Sequence, residues 1–160
     1  MAAWENFLMA EVGASATLTG LILVGVSLNL NKILEHPALP GRAFQALFVL
    51  LSVVIVTTLL LLPNLTMTAI GIELLAAGGA LWIAMIALDV DTYRRTERQY
   101  RGSQLQSTIV GQFAMLSYVV GGVWVLLSGA GGLYWLAPAV LLSFIKAMLD
   151  AWVLLIEINR

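Results

Sequence analysis

LFVLLSVVIVTTLLLL, residues 47–62, decides what kind of protein this is. The run contains no charged side chain, and it lacks the polar face that a helix on the surface of a soluble protein shows. Such a run is typical of a helix that crosses the hydrocarbon core of a bilayer. The whole chain agrees, because 61% of its 160 residues are apolar and 11% are charged, against roughly a quarter charged in soluble domains. We therefore predict an integral membrane protein.

Four further apolar stretches of similar length accompany this one. Turn signals and charge clusters divide the chain into about five spans of about 20 residues, which is the length that crosses a hydrocarbon core of roughly 30 Å. The predicted spans lie near residues 10–30, 44–62, 67–88, 108–127 and 136–157. The longest predicted connection is the third loop, residues 89–107. The sequence thus predicts a single all-α domain over residues 1–160, a polytopic transmembrane helical bundle.

Positive charge predicts how these spans are oriented. Short loops rich in Lys and Arg stay in the cytoplasm. The basic residues of the first loop, the third loop and the C-terminus are Lys32, Arg42, Arg94, Arg95, Arg98, Arg101 and Arg160. The N-terminal segment and the second and fourth loops have none. An odd number of spans places all the basic segments on one side, so we predict the N-terminus outside and the C-terminus in the cytoplasm.

The first predicted helix has two different faces. At about 100° per residue, one face carries the residues that we predict as an ion pathway: Glu11, Ser15, Leu18, Ile22 and Asn29. If identical subunits formed a ring with this stripe inward, Glu11 would form a carboxylate ring at the outer mouth, and Leu18 with Ile22 a hydrophobic constriction. The alternative is that Glu11 is an interfacial acid in the first helical turn, where it complements the helix dipole.

The opposite face of this helix gathers mainly small residues, which suit close packing against another helix. Its members are Gly13, Ala16, Thr17, Gly20, Val24 and Ser27. With one face polar at both ends and the other face small, we expect protein on both sides of the first helix.

Charged residues inside the other spans predict a second site. Lys146 and Asp150 are one helical turn apart near the middle of the last span, where pairing reduces the cost of burying either charge. Glu73 heads an alanine-rich face of the third span, so we predict a buried polar network of Glu73, Lys146 and Asp150. This network could relay protons or bind an ion, or it could be a structural lock between two helices. Gln112 is expected to make a hydrogen bond between helices.

The residue inventory excludes several classes of function. The chain has no cysteine, a single histidine and eight Lys and Arg residues. It therefore has no cysteine chemistry, no clustered metal ligands around His36 and no basic surface for nucleic acid. No motif for nucleophilic catalysis or phosphate binding stands in its expected structural context. We expect neither an enzyme nor a bound cofactor or metal.

The segment GASATLTGLILVGVSLNLNKIL, residues 13–34, is followed by LPGRA, residues 39–43. This part of the chain resembles a group of small bacterial polytopic membrane proteins, some of which carry the label "modulator of FtsH protease". The resemblance implies a bacterial cytoplasmic membrane and a regulatory protein partner, and it supplies no catalytic residues.

Two functions follow from these patterns. The first is a homo-oligomeric ion channel or ion-conducting pore with helix one lining the pathway. The alternative is a non-conducting accessory or regulatory membrane subunit whose buried charges are structural. Both have the lipid bilayer as a partner, and the second adds another membrane protein.

Overall fold

The computed structural model describes residues 2–96 and 101–158, and in these ranges every regular element is helical. The helices are α1 (Ala2–Leu28), the short α2 (Leu30–Glu35), α3 (Leu39–Leu60), α4 (Met67–Arg95), α5 (Arg101–Ser128) and α6 (Leu136–Ile158). A 3₁₀ helix, Gly129–Trp135, connects α5 to α6. The predicted all-α class is confirmed.

Four continuous helical stretches of the described chain are long and apolar enough to cross a membrane. They are Trp4–Leu28, Leu39–Leu60, Met67–Arg95 and Gln104–Ile156. The last stretch has 53 residues and contains α5, the 3₁₀ helix and α6. These two long helices fold back on each other, because Gly111 of α5 lies against Lys146 of α6 whereas Gly121 lies against Trp135. The structure thus has five long helices where the sequence has five apolar stretches.

The helices α3 to α6 form an antiparallel four-helix bundle, in which each helix packs on the next and α6 packs on α3. The paired residues that show the alternating direction are Gly41 with Thr92, Gly71 with Gly122, Asp89 with Thr108, and Ser107 with Asp150. The main apolar cluster fills the half of the core nearer the α3–α4 turn, and the buried charged and amide side chains of α3 to α6 lie in the other half. Short connections favour this arrangement of neighbours.

Outside this bundle, α1 packs mainly on α3. At its start, the Trp4 ring makes edge-to-face contacts with Phe7 and with Tyr134 of the 3₁₀ helix, at centroid distances of 5.7 and 5.2 Å. Leu8 joins the main apolar core. These contacts fix the first turns of α1 to the end of the bundle where α5 and α6 are connected.

The predicted third loop is wrong in its extent. Residues 89–95 continue α4, and residues 101–107 already belong to α5. These segments look like a loop because they are polar, yet the side chains of Asp89, Thr92, Gln104 and Ser107 are buried on the inner face of the bundle. Thr96 ends α4 in an extended conformation. The polarity therefore marks a polar core and not a break in the helix.

Two glycines allow α4 and α5 to approach closely. A Cβ atom at Gly122 would lie 2.9 Å from the backbone nitrogen of Leu75 and 3.1 Å from the carbonyl oxygen of Gly71. Neither neighbour is a flexible side-chain end, so the helices would have to move apart to accept a methyl group. Small residues at such crossings are typical of packed membrane helices.

We expect Gly122→Ala to lower the free energy of unfolding by about 1–3 kcal/mol, the usual result of forcing atoms into a filled core. Gly79→Ala is the matched control, because Gly79 lies on α4 and a Cβ there would meet nothing within 4 Å. That variant should keep or increase stability, since Ala is the better helix former. Unfolding by SDS in mixed micelles, followed by circular dichroism, measures both. Equal stabilities would contradict a close α4–α5 contact.

Candidate functional site

In the polar half of the bundle, α6 holds an ammonium and a carboxylate that are both fully buried. Lys146 Nζ donates to Asp150 Oδ2 at 2.8 Å, and neither side chain has any solvent exposure. The ion pair predicted from the one-turn spacing is therefore present. Burying two charges is favourable only when their other hydrogen-bonding atoms are also satisfied.

Side chains from two neighbouring helices complete these hydrogen bonds. Ser107 of α5 donates its hydroxyl to Asp150 Oδ1 at 2.7 Å and accepts from Lys146 Nζ at 3.0 Å. Gln45 of α3 accepts from Lys146 Nζ through Oε1 at 3.3 Å. An ammonium has three N–H donors, and this one has three acceptors on three helices. The charge pair thus links α3, α5 and α6.

The amide of Gln45 extends the network to the fourth helix. Its Nε2 donates to the carbonyl oxygen of Leu88 at 3.2 Å and to the Thr92 hydroxyl at 3.0 Å, both on α4. Gln104 Nε2 approaches Gln45 Oε1 at 3.4 Å. We call the resulting group the polar centre: Gln45, Thr92, Gln104, Ser107, Lys146 and Asp150. All six residues are buried.

A glycine makes room for the lysine. A Cβ atom at Gly111 would lie 2.5 Å from Cδ and 2.7 Å from Cε of Lys146, and 3.1 Å from the Met85 methyl group. The aliphatic part of Lys146 therefore crosses directly over the backbone of α5 at this glycine. This contact explains how a long side chain fits in a closed core.

A second buried carboxylate lies between α4 and α5. Asp89 accepts from Gln112 Nε2 at 2.7 Å and from the Thr108 hydroxyl at 3.3 Å. Gln112 Oε1 in turn accepts from Trp82 Nε1 at 2.7 Å. We call these four residues the Asp89 cluster. The hydrogen bond between helices that was predicted for Gln112 is confirmed.

The prediction that Glu73 joins Lys146 and Asp150 is wrong. The part of α4 that faces the polar centre contains Leu88 and Thr92, and Glu73 precedes Leu88 by four turns, which is about 22 Å along the helix. Glu73 is half-buried, and one of its oxygens is enclosed without a hydrogen-bond partner in the described chain. A lysine side chain is far too short to bridge that separation.

The predicted ion pathway on helix one does not face an open side of the molecule. Ser15 is completely buried, and Glu11, Leu18, Ile22 and Asn29 are half-buried. Ile22 and Asn29 line a groove of about 280 Å³ together with Ala151 and Leu154 of α6. The stripe is therefore the face that α1 turns toward its own bundle, and its role as an ion pathway stays a prediction.

The small-residue face of α1 is the one left uncovered. Gly13, Ala16, Thr17, Gly20, Val24 and Ser27 are all exposed. The hydroxyls of Thr17 and Ser27 donate to carbonyl oxygens of their own helix, at 2.7 and 2.8 Å. Within the single chain, protein covers one side of α1, and cover on the other side stays a prediction.

Sequence reasoning missed most of the partners of Lys146. Gln45 carried a signal, because an amide inside an apolar span is costly without a partner. Gln104, Ser107 and Gly111 recur at helical spacing, as do Leu88 and Thr92, and this periodicity could have extended both helices into the predicted loop. The pairing between helices leaves no such trace in one sequence.

We expect Lys146→Met to lower the free energy of unfolding by about 3–5 kcal/mol, because it leaves a buried carboxylate without its cation. Adding Asp150→Leu should recover part of this loss, whereas additive losses would contradict direct pairing. The control is Arg95→Met, which removes another ion pair with one-turn spacing, Arg95 to Asp91, whose side chains are 60% and 57% exposed. An exposed pair contributes at most about 1 kcal/mol. SDS unfolding in micelles measures all three variants.

Comparisons with known proteins identify no relative. The chain matches no protein-family model, no curated protein and no solved structure. Its function therefore has to be inferred from the polar centre, the Asp89 cluster and the uncovered face of α1.

Proposed function

We propose that this chain is a non-conducting accessory or regulatory protein that crosses a bacterial cytoplasmic membrane five times. Five long apolar helices support the number of crossings.

The distribution of basic residues supports the orientation. In the antiparallel bundle, α3 and α5 begin at the same end at which α4 and α6 finish. Lys32, Arg42, Arg94, Arg95 and Arg101 lie toward that end, while Arg98 and Arg160 fall outside the described residues. Positive charge favours the cytoplasmic side, so the N-terminus would be outside. The resemblance of residues 13–43 supports the bacterial membrane.

The observation that carries this proposal is the complete saturation of the Lys146 ammonium. Its three donors are taken by Asp150, Ser107 and Gln45, which leaves none for a passing ion or for water. Toward the other end, the core contains fully buried large side chains, among them Met115, Tyr118 and Leu136. Such an interior favours a structural lock over a conducting path.

The uncovered face of α1 is the surface through which we propose that the protein associates with a second copy of itself. Its small side chains would let another helix backbone approach, which is how membrane helices gain packing contacts in lipid. The internal hydrogen bonds of Thr17 and Ser27 leave this face without a donor that needs water. A partner protein with a small-residue helix would bind in the same way.

Ion flux tests the non-conducting part of the proposal. Liposomes containing the purified protein should dissipate a proton gradient no faster than liposomes without it, as measured with a pH-sensitive dye. Glu11→Gln should leave this result unchanged. A flux that the wild type supports and Glu11→Gln abolishes would instead favour the pore with helix one as its lining.

Cysteine cross-linking tests the association through α1. Because the chain has no cysteine, single substitutions need no altered background. Gly20→Cys should form disulfide-linked dimers in oxidised membranes, because Gly20 lies on the uncovered face. Ile83→Cys is the control: its side chain is 69% exposed but lies on α4. Dimers at both positions, or at neither, would contradict a specific contact through α1.

A further inference from the structure

Asp89 is a buried carboxyl group that has no cationic partner within the described ranges. It is 5% exposed and is the first of the last seven residues of the apolar helix α4. Arg95 pairs with Asp91 and Lys146 with Asp150, and neither cation forms an ion pair with Asp89. Unpaired charge at such a place is costly in an apolar medium, and intramembrane carboxyl groups are often proton-binding sites.

The charged groups that face Asp89 act on it in opposite directions. On α6, Lys146 and Asp150 are close enough to act on the Asp89 carboxyl electrostatically, with opposite signs. From α5, the groups that face it are the neutral side chains of Thr108 and Gln112. Gln45 of α3 contacts the same turn of α4 and is neutral as well. No cation is therefore in hydrogen-bond contact with Asp89 to hold it as an anion, and its direct partners are neutral.

Its two hydrogen-bond partners differ in what they permit. Gln112 Oε1 is occupied by the Trp82 indole N–H, so the Gln112 amide presents its NH₂ group to Asp89 Oδ2 and can only donate. The Thr108 hydroxyl, which faces Oδ1, can rotate and either donate or accept. A proton added to Oδ1 would reverse this second hydrogen bond without moving any helix.

We propose that Asp89 is a reversible proton-binding site inside the membrane, with Gln112 as the fixed donor and Thr108 as the partner that accommodates both states. The carboxylate takes up one proton on Oδ1 and becomes a neutral acid that donates to Thr108. Release of the proton restores the anion and the original hydrogen bond. Trp82 and Gln112, which follow Asp89 in the hydrogen-bond chain, are half-exposed, so the Asp89 cluster reaches the surface of the molecule. This site rests on the proposed membrane placement but is independent of association through α1.

Dicyclohexylcarbodiimide tests the site, because this lipid-soluble reagent adds to protonated carboxyl groups in apolar surroundings. The acid adds across one C=N bond to give an O-acylisourea, which rearranges to a stable N-acylurea with no leaving group. We expect one adduct, mapped by mass spectrometry of peptides to Asp89, with a labelling rate that falls as the pH rises. Asp89→Asn should abolish it. Asp91→Asn, at a carboxyl group that is exposed and two residues away, should leave it unchanged.

Gln112→Leu gives a second readout that a merely structural aspartate would not show. Removing the donor that favours the anion should shift the pH profile of labelling upward by about one pH unit or more. Adducts only at Glu11, Glu73 or Asp150, or no adduct at any pH in a folded protein, would overturn the proposal. Extraction with alkaline carbonate distinguishes failure of the proton-site proposal from failure of the proposed membrane placement. A protein that stays in the membrane fraction and is not labelled contradicts the proton site alone, whereas a protein that is extracted contradicts the membrane placement.

Discussion

The ammonium of Lys146 is the constraint on which the arrangement of the bundle depends. Because Lys146 is fully buried by protein, this charge requires a carboxylate and two further acceptors. Asp150 is available on the same helix, but Ser107 and Gln45 come from α5 and α3. Their hydrogen bonds fix the position of each helix along the axes of its neighbours. Gly111 allows the backbone of α5 to lie against the Lys146 side chain of α6. Displacing any one of these helices by a turn would leave a buried charge unsatisfied.

The spacing of residues along the sequence was enough to predict features that lie within a single helix. The apolar runs gave the long helices, and the one-turn interval gave the Lys146–Asp150 pair. The partners from other helices could not be predicted, because Gln45 is separated from Lys146 by 101 residues and periodicity does not say which helices are neighbours. The ends of α4 and α5 were misplaced for a related reason. A polar helical turn that faces a polar core looks like a loop in the sequence.

Helix one is a second case in which periodicity does not specify the neighbours of a helix. The helical period correctly separates the Glu11–Asn29 stripe from the small-residue face, but it does not say which face meets the chain's own bundle. Each face suits a packed contact, one through partial burial beside α3 and one through close backbone approach. The structure places the stripe inward, so a neighbour that packed on α1 would meet the small residues. Glu73 likewise lies on α4, which contributes to the polar centre, but about four helical turns away from the part of α4 that does so.

Asp150 and Asp89 are two carboxyl groups of one bundle whose surroundings give them different chemistry. Asp150 contacts an ammonium and a hydroxyl donor, and both favour the anion. Asp89 has an amide donor on one oxygen and, on the other, a hydroxyl that can serve either protonation state. In other proteins too, different surroundings give two carboxyl groups of one site different protonation states and different roles. Because Asp89 is not a member of the Lys146–Asp150 ion pair, the bundle can gain or lose the Asp89 proton while the hydrogen bonds that hold its helices in register stay in place.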